Sequence, residues 1–427
     1  MAVGHFSVLS LINLKMPRES KRKKFIRGLK KVIANRSRIA LLRFLMDMED
    51  ELDDEIDMIY RMRLRRAEKS RYLFRSLENR SHRHSWRYLL YDDVMVNETE
   101  FLSLFRMSRE CFWNILDIVN TTEDAVTLKE MELLTLLKFL GDSGTDSTLS
   151  KFSISFGIGL GSVQNYIEKA LDAVLKLRSK TVFWPANEER DIISSRIKEK
   201  FDFINCIGII DGTLIPLEFK PQLDGEDYFT RKGGYAVHSL IICDDVGRIR
   251  GITLGWAGSV HDNRIWTRCN YNTSHNTYFR DHEYLLGDSA FTPSNIMVPA
   301  FKKPFGTNLY DYKSFFNTKL AKPRVKSEHC IGWLKGRFQL MKRIRNYIRC
   351  RRDMIRINRL ITASVIFHNL MINEPFPEEW IHADGGTDEE EESDELNMAR
   401  QELNEASEAE TDGRRQSLFN YMCLMHR

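Results

Sequence analysis

The chain has 427 residues, 42% of them hydrophobic and 29% charged, so it can bury a large core and is long enough for more than one domain. It contains no run of 18 apolar residues, and we therefore expect no membrane-spanning helix and no membrane partner. Residues 1–373 hold 60 basic and 44 acidic side chains whereas residues 374–427 hold 4 and 16, and a basic body of this kind is typical of a protein that binds a polyanion such as DNA.

Residues 1–100 predict a basic, mostly helical N-terminal region. Residues 21–24 are all Lys or Arg, and Arg27, Lys30 and Lys31 follow at short intervals. Such a cluster is typical of a nuclear import signal or of an arm that contacts DNA phosphates, and it favours a nuclear protein. A solvated helix face explains the same pattern. Residues 38–80 look helical but indicate no particular fold.

Residues 101–185 predict a helical domain with a helix-turn-helix-like motif. Residues 149–159 suggest a short helix and a glycine turn, and a longer helix follows. The residues that should face inward are Val163, Ile167, Ala170, Leu171 and Val174, and those that should face outward are Gln164, Asn165 and Lys169. The second helix of such a motif can enter the major groove of DNA. A glycine-linked pair of ordinary core helices has the same pattern, so both interpretations stay open.

Three acidic residues lie in separate contexts that each suit an oriented carboxylate. Asp211 follows the apolar residues 204–210 and Asp288 follows 284–287, so each is predicted at the exposed end of a buried strand. Glu328 lies where apolar residues recur at helical spacing, which predicts a helix. Taken singly, each is more simply a turn aspartate or a solvated glutamate. Only the combination suggests a metal-dependent nuclease.

The chemistry of phosphodiester cleavage explains why three acids would be needed. Two divalent ions about 3.5–4 Å apart can stabilise charge on the attacking and leaving oxygens. Mg²⁺ and Mn²⁺ prefer oxygen ligands such as carboxylates. Two strand-end aspartates and a helical glutamate would supply them.

The strings around these acids resemble those of PIF/Harbinger-type DDE transposases and of nucleases derived from them. The resemblance covers roughly residues 100–373, and the order of the strings is more specific than any one of them. The matching strings are residues 208–216, 258–262, 286–291, 316–317, 324–328, 332–338 and 366–370.

This resemblance implies an RNase H-like α/β fold, a mixed sheet flanked by helices, over residues 200–373. It also implies that Asp211 ends the first strand, that Asp288 ends the fourth, and that Glu328 lies on a following helix, all three being catalytic metal ligands. Three positions differ from the residues that are common in the family, namely Leu214, His238 and Phe291. These differences bear on substrate preference and catalytic rate, and none of them replaces an acidic residue.

Local patterns are compatible with that fold. Tyr235–Cys243 and residues 248–254 predict two strands joined by a turn at 244–247, and a helix is predicted from Asp262 to Thr267. The family motif places Asp262 near the active centre, where it could orient a ligand or a water, but an N-cap explains it equally well. Asp244 is most simply a turn residue, and a place near a bound metal is its less favoured interpretation.

Basic residues near Glu328 are predicted to hold the DNA backbone, and they are Arg324, Lys335, Arg337, Lys342 and Arg343. Residues 374–427 predict a disordered acidic tail, because the segment 388–395 has almost no apolar side chains. It could shield the basic body from DNA or simply aid solubility. Residues 418–425 regain apolar character suited to docking.

The sequence therefore predicts a nuclear, metal-dependent DNA endonuclease or transposase that uses two Mg²⁺ or Mn²⁺ ions. The alternative is a domesticated, catalytically silent DNA-binding or adaptor protein derived from a transposase. The resemblance allows for a separately encoded Myb-like DNA-binding partner, and a homo-oligomer is compatible with the sequence.

Overall fold

The computed structural model describes residues 20–46, 51–69, 86–94, 96–122, 127–144, 148–302, 310–380 and 413–425. The chain divides into two compact units, residues 1–82 and 83–427. In the described ranges, no helix has the length and apolar character needed to cross a membrane. The part of the N-terminal helix prediction at 70–80 and most of the predicted acidic tail lie outside the described residues.

The first unit is a pair of helices, α1 (Lys21–Leu45) and α2 (Glu51–Lys69). Arg22 Nε donates a hydrogen bond to the carbonyl oxygen of Ala67, at 3.1 Å. Arg36 forms an ion pair with Asp57 farther along the pair. The two helices are therefore antiparallel, and part of the predicted basic cluster holds this hairpin together, since the last carbonyls of α2 accept from Arg22.

In its described residues, the second unit begins with seven helices. Asn97 and Glu100 form a reciprocal cap at the start of the second of them, each side chain accepting from the backbone N–H of the other at 2.9 Å. The helices are α3 (Trp86–Tyr91), α4 (Glu98–Phe105), α5 (Arg109–Asn120), α6 (Glu130–Gly141), α7 (Leu149–Ser155), α8 (Leu160–Leu175) and α9 (Arg178–Thr181).

Helix α8 is the second helix of the predicted helix-turn-helix-like motif. All five residues predicted to face inward are buried, and the predicted outward residues Gln164 and Asn165 are exposed. Lys169 is also exposed, as predicted, and it forms an ion pair with Glu132 of α6 at 3.0 Å. The helix pair is confirmed, and its contact with DNA stays a prediction.

A five-stranded mixed sheet forms the centre of the rest of this unit. The strand order is β3-β2-β1-β4-β5, with β1–β2 and β2–β3 antiparallel and β1–β4 and β4–β5 parallel. This mixed sheet with helices around it is the predicted RNase H-like fold. The strands are β1 (Cys206–Leu217), β2 (Tyr235–Cys243), β3 (Ile249–Ala257), β4 (Tyr284–Gly287) and β5 (Met297–Pro299).

The predicted β2–β3 hairpin is confirmed, with Gly247 in its turn at a φ of +84° that favours glycine. The predicted helix at Asp262 is confirmed as α11 (Asp262–Arg268), and Glu328 lies on α14 (Asp311–Arg337). The helices around the sheet are α10 (Asn187–Phe201), α11 (Asp262–Arg268), α12 (Asn270–Thr273), α13 (His275–Tyr278), α14 (Asp311–Arg337) and α15 (Arg351–Leu370).

The chain's last described helix, α16 (Gly413–Met425), packs against α14 and β5. Phe419 contacts the rings of Phe301 and Phe316, with centroids 5.6 and 6.2 Å away. Met422 is 2% exposed, and the Arg415 guanidinium lies over the ring of Phe301. This part of the predicted disordered tail is therefore a packed helix, because its apolar residues find a hydrophobic surface on the sheet domain.

Candidate active site

Asp211 and Asp288 meet at one edge of the sheet because of the register between β1 and β4. These strands run parallel, and their pairing reaches Ile209 opposite Leu286. Each aspartate follows within two residues of that last pair. Since the carboxyl ends of parallel strands point the same way, both carboxylates emerge at the same edge.

The predicted position of Asp211 at the exposed end of a strand is wrong. β1 continues to Leu217, and Asp211 lies in mid-strand opposite Ile241 of β2. Only the pairing of β1 with β4 ends near Asp211. Asp211 is consequently half-buried and held by a ladder on one side, which fixes its backbone more firmly than a turn would.

The electrostatic environment of Asp211 differs from that of an ordinary surface carboxylate. Burial raises its pKa to about 7, and the nearby charges of Asp288 and Asp262 raise it as well. Arg324 and the N–H of Gly212, which donates to Asp211 Oδ1 at 2.9 Å, act in the opposite direction. Asp211, Asp288 and Asp262 thus form a cluster in which like charges repel and a cation would be stabilised.

Glu328 stands apart from this cluster. Its side chain is 55% exposed and lies 3.7 Å from Arg324, one helical turn earlier on α14. The neighbouring residue Ser327 places Oγ 3.5 Å from Asp211 Oδ2. Over the described ranges, no group of three acidic, His or Cys side chains is arranged to hold a metal ion. The structure brings Asp211 and Asp288 together, and Arg324 lies beside both Asp211 and Glu328.

Asp262 lies against the backbone next to Asp211. A Cβ built on Gly212 would come within 2.0 Å of Asp262 Oδ1, so only glycine leaves room for this carboxylate. The N-cap of α11 is His261, whose side chain makes no capping hydrogen bond, and Asp262 is the first helical residue. The N-cap interpretation of Asp262 is therefore wrong, because its side chain points to the acidic cluster instead.

His238 is the contact that the sequence did not reveal. Its Nε2 lies 2.7 Å from Asp262 Oδ1, and its Nδ1 lies 2.6 Å from the carbonyl oxygen of Val260. The ring is buried and links β2 to the start of α11. The only signal in the sequence was the departure from the family pattern at this position, which did not indicate a partner.

Asp244 does not belong to the site. Its buried carboxylate accepts hydrogen bonds from the N–H of Val246 at 3.1 Å, from the N–H of Arg248 at 2.9 Å and from Arg250 Nε at 2.9 Å. These donors close the β2–β3 turn. Its proposed place in a metal shell is therefore wrong, because its oxygens serve the turn.

The predicted DNA-binding residues fall into different environments. Arg337 is 4% exposed and donates to the carbonyl oxygens of Arg106 and Pro375, and burial lowers its pKa to about 10. This buried guanidinium is a correction to the prediction, since it is not available to DNA. Lys335 Nζ donates to the carbonyl oxygen of Leu214 on β1, and the exposed Arg343 pairs with Glu218. Lys342 is half-buried.

Comparison with known proteins adds an independent finding. Residues 210–369 match the family described as DDE superfamily endonuclease. The chain is similar to Putative nuclease HARBI1 of Rattus norvegicus, with 23% identity over 220 residues, and of Homo sapiens, with 21% over 222 residues. Each match covers 50% of this chain and 62% of the relative, so the matched part spans about three fifths of those relatives. No solved structure matches the chain.

Proposed function

We propose that this protein cuts DNA in a metal-dependent reaction, because residues 210–369 match the family described as DDE superfamily endonuclease and the chain is similar to proteins named Putative nuclease HARBI1. The observation that carries the proposal is the convergence of Asp211 and Asp288 at one sheet edge. The raised pKa of Asp211 supports it, since two repelling carboxylates suit a bound cation.

The donor set fits Mg²⁺ or Mn²⁺, because hard divalent ions prefer carboxylate oxygens. Asp211 and Asp288 would hold the metal, and Glu328 would join them after leaving Arg324. Two such ions, when bound, supply charge stabilisation for the attacking and leaving oxygens of the phosphodiester.

The chain's own residues have separate roles in this proposal. Arg324 offsets the charge of Asp211 and Glu328 and is placed to contact the phosphate beside the cleaved bond. His238 orients Asp262 against Gly212, so that Asp262 can accept a hydrogen bond from a water near Asp211. Lys335, Lys342 and Arg343 supply positive charge along the continuation of β1.

The test is nicking of supercoiled plasmid by purified protein with Mg²⁺ or Mn²⁺. Asp288→Asn and Glu328→Gln should each lower the nicking rate at least about a hundred-fold, since each removes a proposed ligand charge. Asp117→Asn, at an exposed position of α5, is the matched control and should nick like the wild type. Cleavage that survives both active-site changes would rule out this site.

A second candidate is a catalytically silent DNA-binding or adaptor protein. The exposed position of Glu328 beside Arg324 favours it, because the third acid lies apart from the other two. Intact DNA binding without nicking by the wild type would support this function. In either case we propose that the protein acts on DNA in the nucleus. We also propose a Myb-like partner, which co-purification can test, and self-association, which light scattering can test.

A further inference from the structure

An exposed aromatic stack lies just beyond the end of β1. The rings of Phe219 and Tyr347 are parallel to within 10°, with centroids 4.1 Å apart. The guanidinium of Arg349 lies over the Tyr347 ring, 5.2 Å from its centroid. Tyr347 is nevertheless 51% exposed, so part of this stack of two rings and a guanidinium faces solvent.

Backbone hydrogen bonds hold this stack rigidly. Residues 344–348 run alongside the continuation of β1, with Leu217 and Ile344 forming a parallel bridge. The N–H of Glu218 donates to the carbonyl oxygen of Ile344 at 2.8 Å, and the N–H of Gln222 donates to that of Ile348 at 2.9 Å. The stack is therefore fixed to the same strand that carries Asp211.

The surroundings of the stack are strongly basic. Residues 342–352 contain six Lys or Arg and no Asp or Glu, and the next residue, Asp353, accepts a hydrogen bond from the N–H of Arg349 at 2.9 Å. Arg343 is paired with Glu218. Among the residues that the structure describes, Arg345, Arg351 and Arg352 have no ion pair or side-chain hydrogen bond. Their charge is available to an anionic partner.

We propose that Phe219, Tyr347 and Arg349 form a platform on which an unpaired base of the DNA substrate stacks. The neighbouring arginines would hold the phosphates on either side of that base. Every base has a π-face that stacks on aromatic rings or guanidinium planes. A base within a duplex already stacks on its neighbours, so the platform selects an unpaired nucleotide. This inference rests on the proposed nuclease function, since it describes that enzyme's substrate.

The position of the platform along β1 sets where the unpaired base lies. Phe219 follows Asp211 by eight residues, and because the backbone bends at 218 and 219 the two residues lie at most about 26 Å apart. At about 3.4 Å per step of the DNA helix, this is at most roughly eight nucleotides. The preferred substrate is therefore DNA that is frayed or single-stranded within about eight nucleotides of the cleaved bond.

The experiment compares binding of a forked DNA, with an unpaired arm, and a blunt duplex of the same sequence. Fluorescence anisotropy with EDTA prevents cleavage. We expect the wild type to prefer the fork, and Tyr347→Ala to weaken fork binding roughly ten-fold while leaving blunt duplex binding unchanged. Tyr347→Trp should restore the preference because it keeps a stacking ring. Tyr312→Ala, another exposed tyrosine, is the matched control and should bind like the wild type.

A photocrosslink tests the platform without any substitution. A 5-iodouracil in the unpaired arm, placed at successive positions within about eight nucleotides of the cleavage site, should crosslink to Tyr347 of the wild type at one of these positions. No fork preference in the wild type, or equal fork binding by Tyr347→Ala, overturns the platform even if plasmid nicking is observed. Fork binding that depends on Tyr347 without any nicking supports the platform and overturns the nuclease function instead.

Discussion

The sheet carries two sets of neighbouring aspartates whose environments are opposite. At the β2–β3 turn, burial alone would raise the pKa of Asp245, but Arg196 and Lys200 hold it below its usual value. Asp244 beside it is satisfied by Arg250 and two backbone N–H groups. At the other set, burial and Asp288 raise the pKa of Asp211 to about 7.

This difference shows which carboxylates serve structure and which are kept for a ligand. The turn aspartates have permanent cationic or N–H partners, so folding itself stabilises their charges. At the other set, burial and the charges of Asp288 and Asp262 outweigh Arg324 and the N–H of Gly212, so the charged form of Asp211 stays unfavourable after folding. A site held in an unfavourable charge state is stabilised when a cation arrives, which is the behaviour of a binding site.

The largest expected effect is on the pH dependence of stability. The native state keeps the proton of Asp211 up to a pKa of about 7, whereas the unfolded chain loses it near 4. The free energy of unfolding should therefore fall as pH rises through this window, by at most roughly 4 kcal/mol. The free energy of unfolding of Asp211→Asn should not fall in this way. The stability of this variant relative to the wild type should therefore increase from about pH 5 to about pH 8.

Urea denaturation in EDTA measures that difference. Parallel stability curves for the two proteins over this pH range would show that Asp211 is ionised in the native state. Asp117→Asn provides the control for loss of a surface carboxylate.

The next largest effect should come from the turn. Asp245→Asn leaves Arg196 and Lys200 without their buried partner, so we expect a loss of about 3 kcal/mol in the free energy of unfolding. Asp211→Asn should stabilise the protein near neutral pH, so the two changes should have opposite signs. If Asp245→Asn and Asp211→Asn destabilised the protein equally, the two sets of aspartates would not differ in the way described.

The smallest effect should come from added metal. With Mg²⁺ at about 30 times its Kd near neutral pH, the wild type should gain about 2 kcal/mol in stability. Asp288→Asn should gain nothing because it removes a proposed ligand. Asp245→Asn should gain as much as the wild type, and a loss of the metal response in that variant would place the metal at the turn.

Local patterns predicted the parts of the fold that depend on local periodicity. Strand β2 begins and ends where the apolar residues do, and the inward face of α8 follows helical spacing. The order of the acidic residues and the strings around them indicated the family resemblance, and that resemblance implied the mixed sheet. Such features are encoded within a few residues of one another.

Contacts between distant segments could not be predicted in this way. β1 continues beyond Asp211 because β2 pairs with it as far as Leu217. No continuous apolar run in the sequence predicts this extension. Arg337 looked like a DNA contact, but its partners are carbonyls from Arg106 and Pro375. The close contact between His238 and Asp262 joins a strand to a helix 24 positions later.

Helix α16 has a practical consequence for shortened versions of the protein. A truncation after Trp380, intended only to remove the acidic segment, would also remove Phe419 and Met422 from the surface around Phe301 and Phe316. The exposed aromatic patch would promote aggregation. An internal deletion that leaves 413–425 attached by a flexible linker would keep this patch covered and isolate the effect of the negative charge.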